Sequence, residues 1–169
     1  MEITYLFAAF LQAVGVSLGV GSSTIAVASY IAAVKDGAFD DSERRLMKVV
    51  YTVLRVAMAL ILGTLIVHAV MLMSVYGMMY FSPFMMILWV VVGVLYANAI
   101  LMTLHRMPMT LGPGIQAGSW YSLAVLFFFA SVGLTQFSFM FLLSGYAGML
   151  ILGVVLVNLA LALFRSRVA

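Results

Sequence analysis

The sequence of 169 residues contains no cysteine, three prolines and five acidic residues, and no acidic residue follows Glu43. The absence of cysteine excludes disulfides, thiolate metal sites and thiol nucleophiles. With two histidines and no carboxylate beyond Glu43, most of the chain lacks the acid–base pairs and metal ligands that enzymes usually need. We therefore expect a protein that is neither an enzyme nor the carrier of a cofactor.

What the sequence has in abundance is apolar side chains. Hydrophobic residues make up 66% of the chain, charged residues 8%, and the mean hydropathy is +1.24. A soluble core of this size does not need so much apolar surface, whereas a helix that crosses a bilayer needs about 20 apolar residues in a row. The pattern predicts a single all-α domain over 1–169, a polytopic integral membrane protein with five transmembrane helices. The expected spans are 4–34, 47–80, 83–104, 119–142 and 146–164, with the last break near Ser144-Gly145.

The positive charges indicate how the chain crosses the membrane. With five spans, all eight Lys and Arg residues fall on one side, which should be the cytoplasm. The N-terminus is then outside and the C-terminus cytoplasmic, and the positive charge does not indicate nucleic-acid binding. The start Met1-Glu2 has no basic flank and precedes too long an apolar stretch for a cleaved signal peptide. We expect a multi-pass protein of the cell membrane, the inner membrane of a prokaryote.

Local patterns at the first connection and on the first span predict how helices begin and pack. Asp40, followed three residues later by Glu43, is typical of a capping box at the start of the second helix. Small residues recur every three or four positions along the first span, which in lipid favours close packing against another helix or a second subunit. This small-residue seam contains Ala8, Gln12, Gly15, Gly19, Ser22, Ala26, Ser29 and Ala33.

Polar side chains inside the spans are the candidates for a polar path or a ligand site. Depth along the helices sorts them into an outer layer with Gln12, His68 and Ser131, and an inner layer with Ser22, Ser23, Asn98 and Asn158. Such residues face protein or water, because exposing them to lipid is costly. Interhelical hydrogen bonds are the simpler explanation of both layers, and they need no pathway. His68 could be a neutral histidine bonded to Gln12 or Thr64, or a residue that handles protons or a metal.

Metal binding by soft ligands is a weaker alternative. Six methionines surround the second connection, above His68, and thioether with imidazole is a ligand set that Cu(I) prefers. His68, Met71 and Met78 are the candidates, although methionine also serves as a flexible apolar filler. A haem held by His68 and His105 requires both at one depth, and the helical rise separates them by roughly 18 Å. The six are Met71, Met73, Met78, Met79, Met85 and Met86.

The third connection, 105–121, is rich in glycine, proline and polar residues. We expect a structured cytoplasmic loop in which Ser119 caps the fourth span, and Trp120 and Tyr121 lie at the membrane interface. A lipid headgroup or small anion could bind among His105, Arg106 and Ser119, although a positive-inside loop explains these residues without a ligand.

Three functions remain open. The sequence favours an oligomeric transporter or channel-like module for a small solute or ion, by facilitated passage, because the spans lack acidic residues for ion coupling. The alternative is a non-catalytic accessory subunit of a larger membrane complex. A haem- or copper-binding redox protein is the third. In each case the lipid bilayer and other membrane subunits, or further copies of the chain, are the expected partners.

Overall fold

The computed structural model describes residues 2–36, 40–76, 82–108 and 110–165, which form a bundle of α-helices. Four of them, all but the fourth, are long and apolar enough to cross a membrane. The expected all-helical fold is confirmed, and these apolar helices are compatible with a membrane protein. The helices are α1 (Glu2–Asp36), α2 (Asp41–Tyr76), α3 (Pro83–Thr103), α4 (Gly112–Ser131) and α5 (Phe139–Arg165).

Apolar side chains cover the outside of the bundle, while several polar side chains lie inside it. Phe10 is 62% exposed and Ile151 65% exposed, whereas Asn98 is 2% exposed. In water this distribution would be unfavourable, but in lipid the apolar surface is solvated and the polar groups avoid hydrocarbon. The buried polar residues within the described part of the chain are all uncharged: Ser22, Ser23, Thr64, Asn98, Ser119 and Ser122.

The helices differ in length, and α4 packs against three of the other four. α1 and α2 have 35 and 36 residues and pack along each other as a hairpin. At about 1.5 Å per residue each exceeds 50 Å, so the hairpin is longer than a bilayer is thick. α4, with 20 residues, contacts α1, α3 and α5, while α2 makes little contact with α3.

The capping box at the start of α2 is confirmed. The Asp40 carboxylate accepts a hydrogen bond from the backbone N–H of Glu43 (2.7 Å), and the Glu43 carboxylate accepts one from the N–H of Asp40 (3.1 Å). The N–H of Glu43 and the Ser42 hydroxyl, which donates to the same carboxylate at 2.7 Å, lower the pKa of Asp40 below its usual value, because they stabilise the charged form.

The expected break near Ser144-Gly145 is wrong, as is the expected start of the fourth helix near Ser119. α4 begins at Gly112 and ends at Ser131, and α5 begins at Phe139 and continues through 144–145. Proline is tolerated in the first turn of a helix, so Pro113 does not prevent helix formation. The Ser138 hydroxyl caps α5 by accepting a hydrogen bond from the N–H of Phe141 (3.3 Å).

The ends of α3 and α4 have the same hydrogen-bond pattern but different residues in the left-handed position. After α3, Arg106 N–H donates to Leu101 O and His105 has φ 55°. After α4, Leu134 N–H donates to Phe129 O and Gly133 has φ 76°. This is a Schellman motif, in which glycine is favoured because a Cβ is strained in that conformation.

We expect His105→Gly to stabilise the protein by up to about 1 kcal/mol, and Gly133→Ala to destabilise it by about 1 kcal/mol. A Cβ at Gly133 would meet no atom within 4 Å, so the cost there is conformational. The measurement is the midpoint of unfolding in detergent for both variants. A shift of both midpoints in the same direction would contradict the assignment.

Candidate functional site

Trp120 fills the centre of the bundle. Its side chain is fully buried, and its six-membered ring lies against Gly19 of α1 at the place that a Cβ would occupy. The expected position of Trp120 at the membrane interface is therefore wrong. Glycine at position 19 leaves the space that the indole occupies, so this residue pair sets how α1 packs on α4.

Glycines also bring α4 and α5 into backbone contact. A Cβ on Gly153 would lie 2.5 Å from Gly114 O, and a Cβ on Gly118 would lie 2.8 Å from Met149 O. Gly114 and Gly118 are one turn apart on α4, the spacing that permits close helix crossings in lipid. The seam on α1 similarly packs within the chain, since a Cβ on Gly15 would lie 3.1 Å from Leu60 Cβ of α2.

Polar side chains tie α4 to its neighbours. The hydroxyls of Thr24 on α1 and Tyr121 are 2.9 Å apart, and so are those of Ser119 and Tyr146 on α5. These pairs hold α4 laterally on two sides. Because Ser119 is buried in the middle of α4, it does not cap the helix.

Two asparagines hold the start of α4 and the segment before it. Asn98 Nδ2 on α3 donates to Gly112 O (3.0 Å) and to Gln116 Oε1 (3.1 Å). Asn158 Nδ2 on α5 donates to Thr110 O (2.7 Å) and to Val154 O of its own helix (2.8 Å). Asn158 thus lies beside the α3–α4 connection, two residues from the backbone carbonyl that Asn98 binds.

Within the described residues, three buried polar atoms have no hydrogen-bond partner: Ser23 Oγ, Asn98 Oδ1 and Trp120 Nε1. They are a hydroxyl, an acceptor and an N–H donor, on α1, α3 and α4 respectively. Each such atom costs free energy when it is removed from water, and in lipid no solvent reaches it. Unpaired groups of this kind call for an occupant or a functional role.

The helix register places the residues that carry these atoms at similar levels along the bundle. Ser23 is one turn beyond Gly19, and Gln116 is one turn before Trp120, so the Gly19–Trp120 contact puts Ser23 and Gln116 at about the same level. Asn98 bonds Gln116 directly. All of them lie within the first two or three turns of α4, about 12 Å of the bundle. We call Ser23, Asn98, Gln116 and Trp120 the inner polar site.

On the far side of Trp120 the interior is apolar. Ile61, Leu65, Ile87 and Leu126 fill it and are each at most 6% exposed. Thr64, also buried there, donates its hydroxyl to Leu60 O and Ile61 O of its own helix. The inner polar site is therefore closed towards the N-terminal end of α1.

The predicted path residues do not form one continuous row. The two buried serines of α1, Ser22 and Ser23, and Asn98 lie near α4, whereas His68 lies half-buried with its ring edge-on to Tyr5 at a centroid distance of 5.2 Å. Gln12 is also half-buried. Ser131 is exposed at the end of α4 and donates to Phe128 O (2.8 Å), so it does not share an interior layer with the other two.

The residues expected to bind an anion or headgroup are not brought together. His105 and Arg106 are exposed just after α3, whereas Ser119 is fully buried and bonded to Tyr146. The helix start that was to complete this site lies at Gly112 instead.

The metal candidates are also separated. His68 contacts Tyr5 near the start of α1, whereas His105 follows the C-terminal end of α3, at the other end of the bundle. The two histidines therefore cannot share a haem iron. Among the described residues no group of three His, Cys, Asp or Glu could hold a metal ion. Met71 is half-buried on α2, and Met78 lies outside the described residues.

Comparison with protein families, curated proteins and solved structures finds no match.

Sequence reasoning missed Gln116 and Trp120 as site residues, and Tyr146 as the hydrogen-bond partner of Ser119. The signal that could have found the first two is the Gly114-x-x-x-Gly118 spacing, which marks 112–120 as a packed helix rather than a loop. Tyr146 carried no such signal, because its partner Ser119 is distant in the sequence.

Proposed function

We propose that this protein is a transporter-like module of the cell membrane that carries a small solute by facilitated passage, with the inner polar site as its binding site. The observation that carries the proposal is the set of unpartnered buried atoms on α1, α3 and α4. Together they offer one donor, one acceptor and one hydroxyl to a guest that can hydrogen-bond.

The solute should be uncharged. The described interior contains buried polar residues but no buried charged residue, and a buried charge without a partner is strongly disfavoured. The apolar interior beyond Trp120 favours a carrier that changes conformation over an open pore, because a polar solute would find no partners there in this conformation.

The proposal includes five membrane spans with the N-terminus outside. α4 is about 30 Å long, enough to cross the hydrocarbon layer. Gly114, Gln116, Gly118 and Ser119 make it less apolar than the other helices, but they pack against α3 and α5 rather than lipid. Arg44, Arg45, Lys48 and Arg106 are exposed at the end of the bundle where α4 begins, which agrees with a cytoplasmic side there.

Flux measurements on proteoliposomes test this function. We expect the rate of osmotic swelling with water, glycerol or urea to exceed that of empty liposomes. Ser23→Ala and Asn98→Ala should each lower the protein-dependent rate at least roughly tenfold, which corresponds to about 1.4 kcal/mol. K⁺ and Cl⁻ should not cross. The matched control is Ser122→Ala, because the Ser122 hydroxyl is buried but already donates to Gly118 O (2.7 Å).

A second candidate is a non-catalytic accessory subunit, which contributes only packing surface to a complex or homo-oligomer. It is favoured by the exposed apolar residues along every helix. Gly15 and Gly19 cannot supply its interface, since both pack inside the chain. The absence of any solute flux, together with co-purification of a membrane partner in stoichiometric amount, would favour this function over the first.

A further inference from the structure

A groove between α2 and α3 gathers three methionines and a tryptophan. It has a volume of about 420 Å³ and lies where α2 ends and where α3 and α5 begin. This methionine groove is distinct from the inner polar site, which lies at the other end of α3. Its lining residues include Met73 of α2, and Met85, Met86 and Trp89 of α3.

Thioethers are soft ligands that select Cu(I) and similar ions over hard cations. A methionine sulfur is neutral and cannot be protonated, so such a site would bind a monovalent soft cation without a carboxylate. The described residues supply no cluster of His, Cys, Asp or Glu as a competing metal site. Trp89 adds an aromatic face, which attracts cations.

The position of the groove gives an ion access to it. Met73 lies in the last turn of α2 and Met85 in the first turn of α3, beside its Ser82 cap, and Met73 and Met86 are 41% and 42% exposed. Because the groove lies at the ends of these helices, an ion need not enter the apolar interior. The two methionines of α3 approach the groove from one side, and Met73 approaches from the other helix.

We infer that the methionine groove binds one soft monovalent cation, Cu(I) or its redox-inert analogue Ag(I), through Met73, Met85 and Met86. This inference does not rest on the proposed solute passage. It replaces His68, Met71 and Met78 as candidate ligands with residues that the fold brings to one cavity.

The probe is Ag⁺, added to the full chain in detergent and followed by calorimetry and by the two indole N–H resonances. We expect saturable binding of a single ion, a shift of the Trp89 resonance and none of Trp120, and no effect of Na⁺. Removing a group that only supports a metal ligand weakens metal binding by roughly 10–100-fold. Met73→Leu and Met85→Leu remove ligands themselves, so each should weaken binding by at least roughly tenfold.

Leucine conserves side-chain volume, so these variants remove the thioether while filling the same space. Met149→Leu is the matched control, because Met149 lines a different groove, among α1, α4 and α5. The affinity of this variant for Ag⁺ should equal that of the wild type. An unchanged affinity in Met73→Leu and Met85→Leu, or the absence of saturable binding to the wild-type chain, would overturn the inference and leave the methionines as apolar packing.

Discussion

Gly153→Ala is expected to destabilise the protein by at least about 2 kcal/mol, because an added methyl group meets backbone rather than a movable side chain. The new Cβ would lie 2.5 Å from Gly114 O and 3.2 Å from Gly118 N. Neither atom can turn aside, so α4 and α5 would have to move apart. That movement would also strain the Ser119–Tyr146 hydrogen bond between the same helices.

The matched control for this change is Gly148→Ala, also in α5. A Cβ there would meet no atom within 4 Å, and alanine favours the helix by about 0.5–1 kcal/mol over glycine. The unfolding midpoint of each variant, measured against denaturing detergent, should therefore move in opposite directions. Equal midpoints for the two variants would contradict the close crossing of α4 and α5.

Gly19→Ala is the second change with a large expected effect, a loss of about 2–3 kcal/mol. Its Cβ would occupy the place of the Trp120 ring, which is fully buried, so the ring or α1 would have to shift. Gly21→Ala is the control in the same helix, since position 21 has no neighbouring atom within 4 Å. It should leave stability unchanged or raise it slightly.

A double-mutant cycle assigns the Gly19→Ala loss to Trp120. In a Trp120→Phe background the smaller ring leaves room for the methyl group, so the same substitution should cost less, with a coupling of at least about 1 kcal/mol. Additive effects of Gly19→Ala and Trp120→Phe would show that the two residues do not contact each other.

Composition and turn chemistry were sufficient to predict the helical class and the approximate ends of α1, α2 and α3. The Asp40–Glu43 capping box could be predicted because its hydrogen bonds join residues three apart. The break between α4 and α5 could not be predicted in this way. Gly133 and Ser138, which lie between the apolar run 123–129 and the start of α5, give a weaker turn signal than the glycine- and proline-rich segment 105–121.

The candidate site was hidden for a related reason. Gly112-Pro113-Gly114 and Gln116 have the composition of a loop, yet they form the first turns of α4, since their small side chains let α5 approach and Gln116 bonds Asn98. Trp120 has the amphipathic character of an interface residue, and only its contact with Gly19, about a hundred residues away in the chain, places it inside. Such long-range pairings are not visible in one sequence.

Binding at the inner polar site is tested by the indole N–H resonance of Trp120 during titration with urea or glycerol, whichever crosses proteoliposomes. The chain has only two tryptophans, so Trp89→Phe assigns the spectrum. We expect a saturable shift of the Trp120 resonance that Asn98→Ala weakens and Ser122→Ala does not. A transported solute that leaves the Trp120 resonance unchanged would contradict binding at the inner polar site.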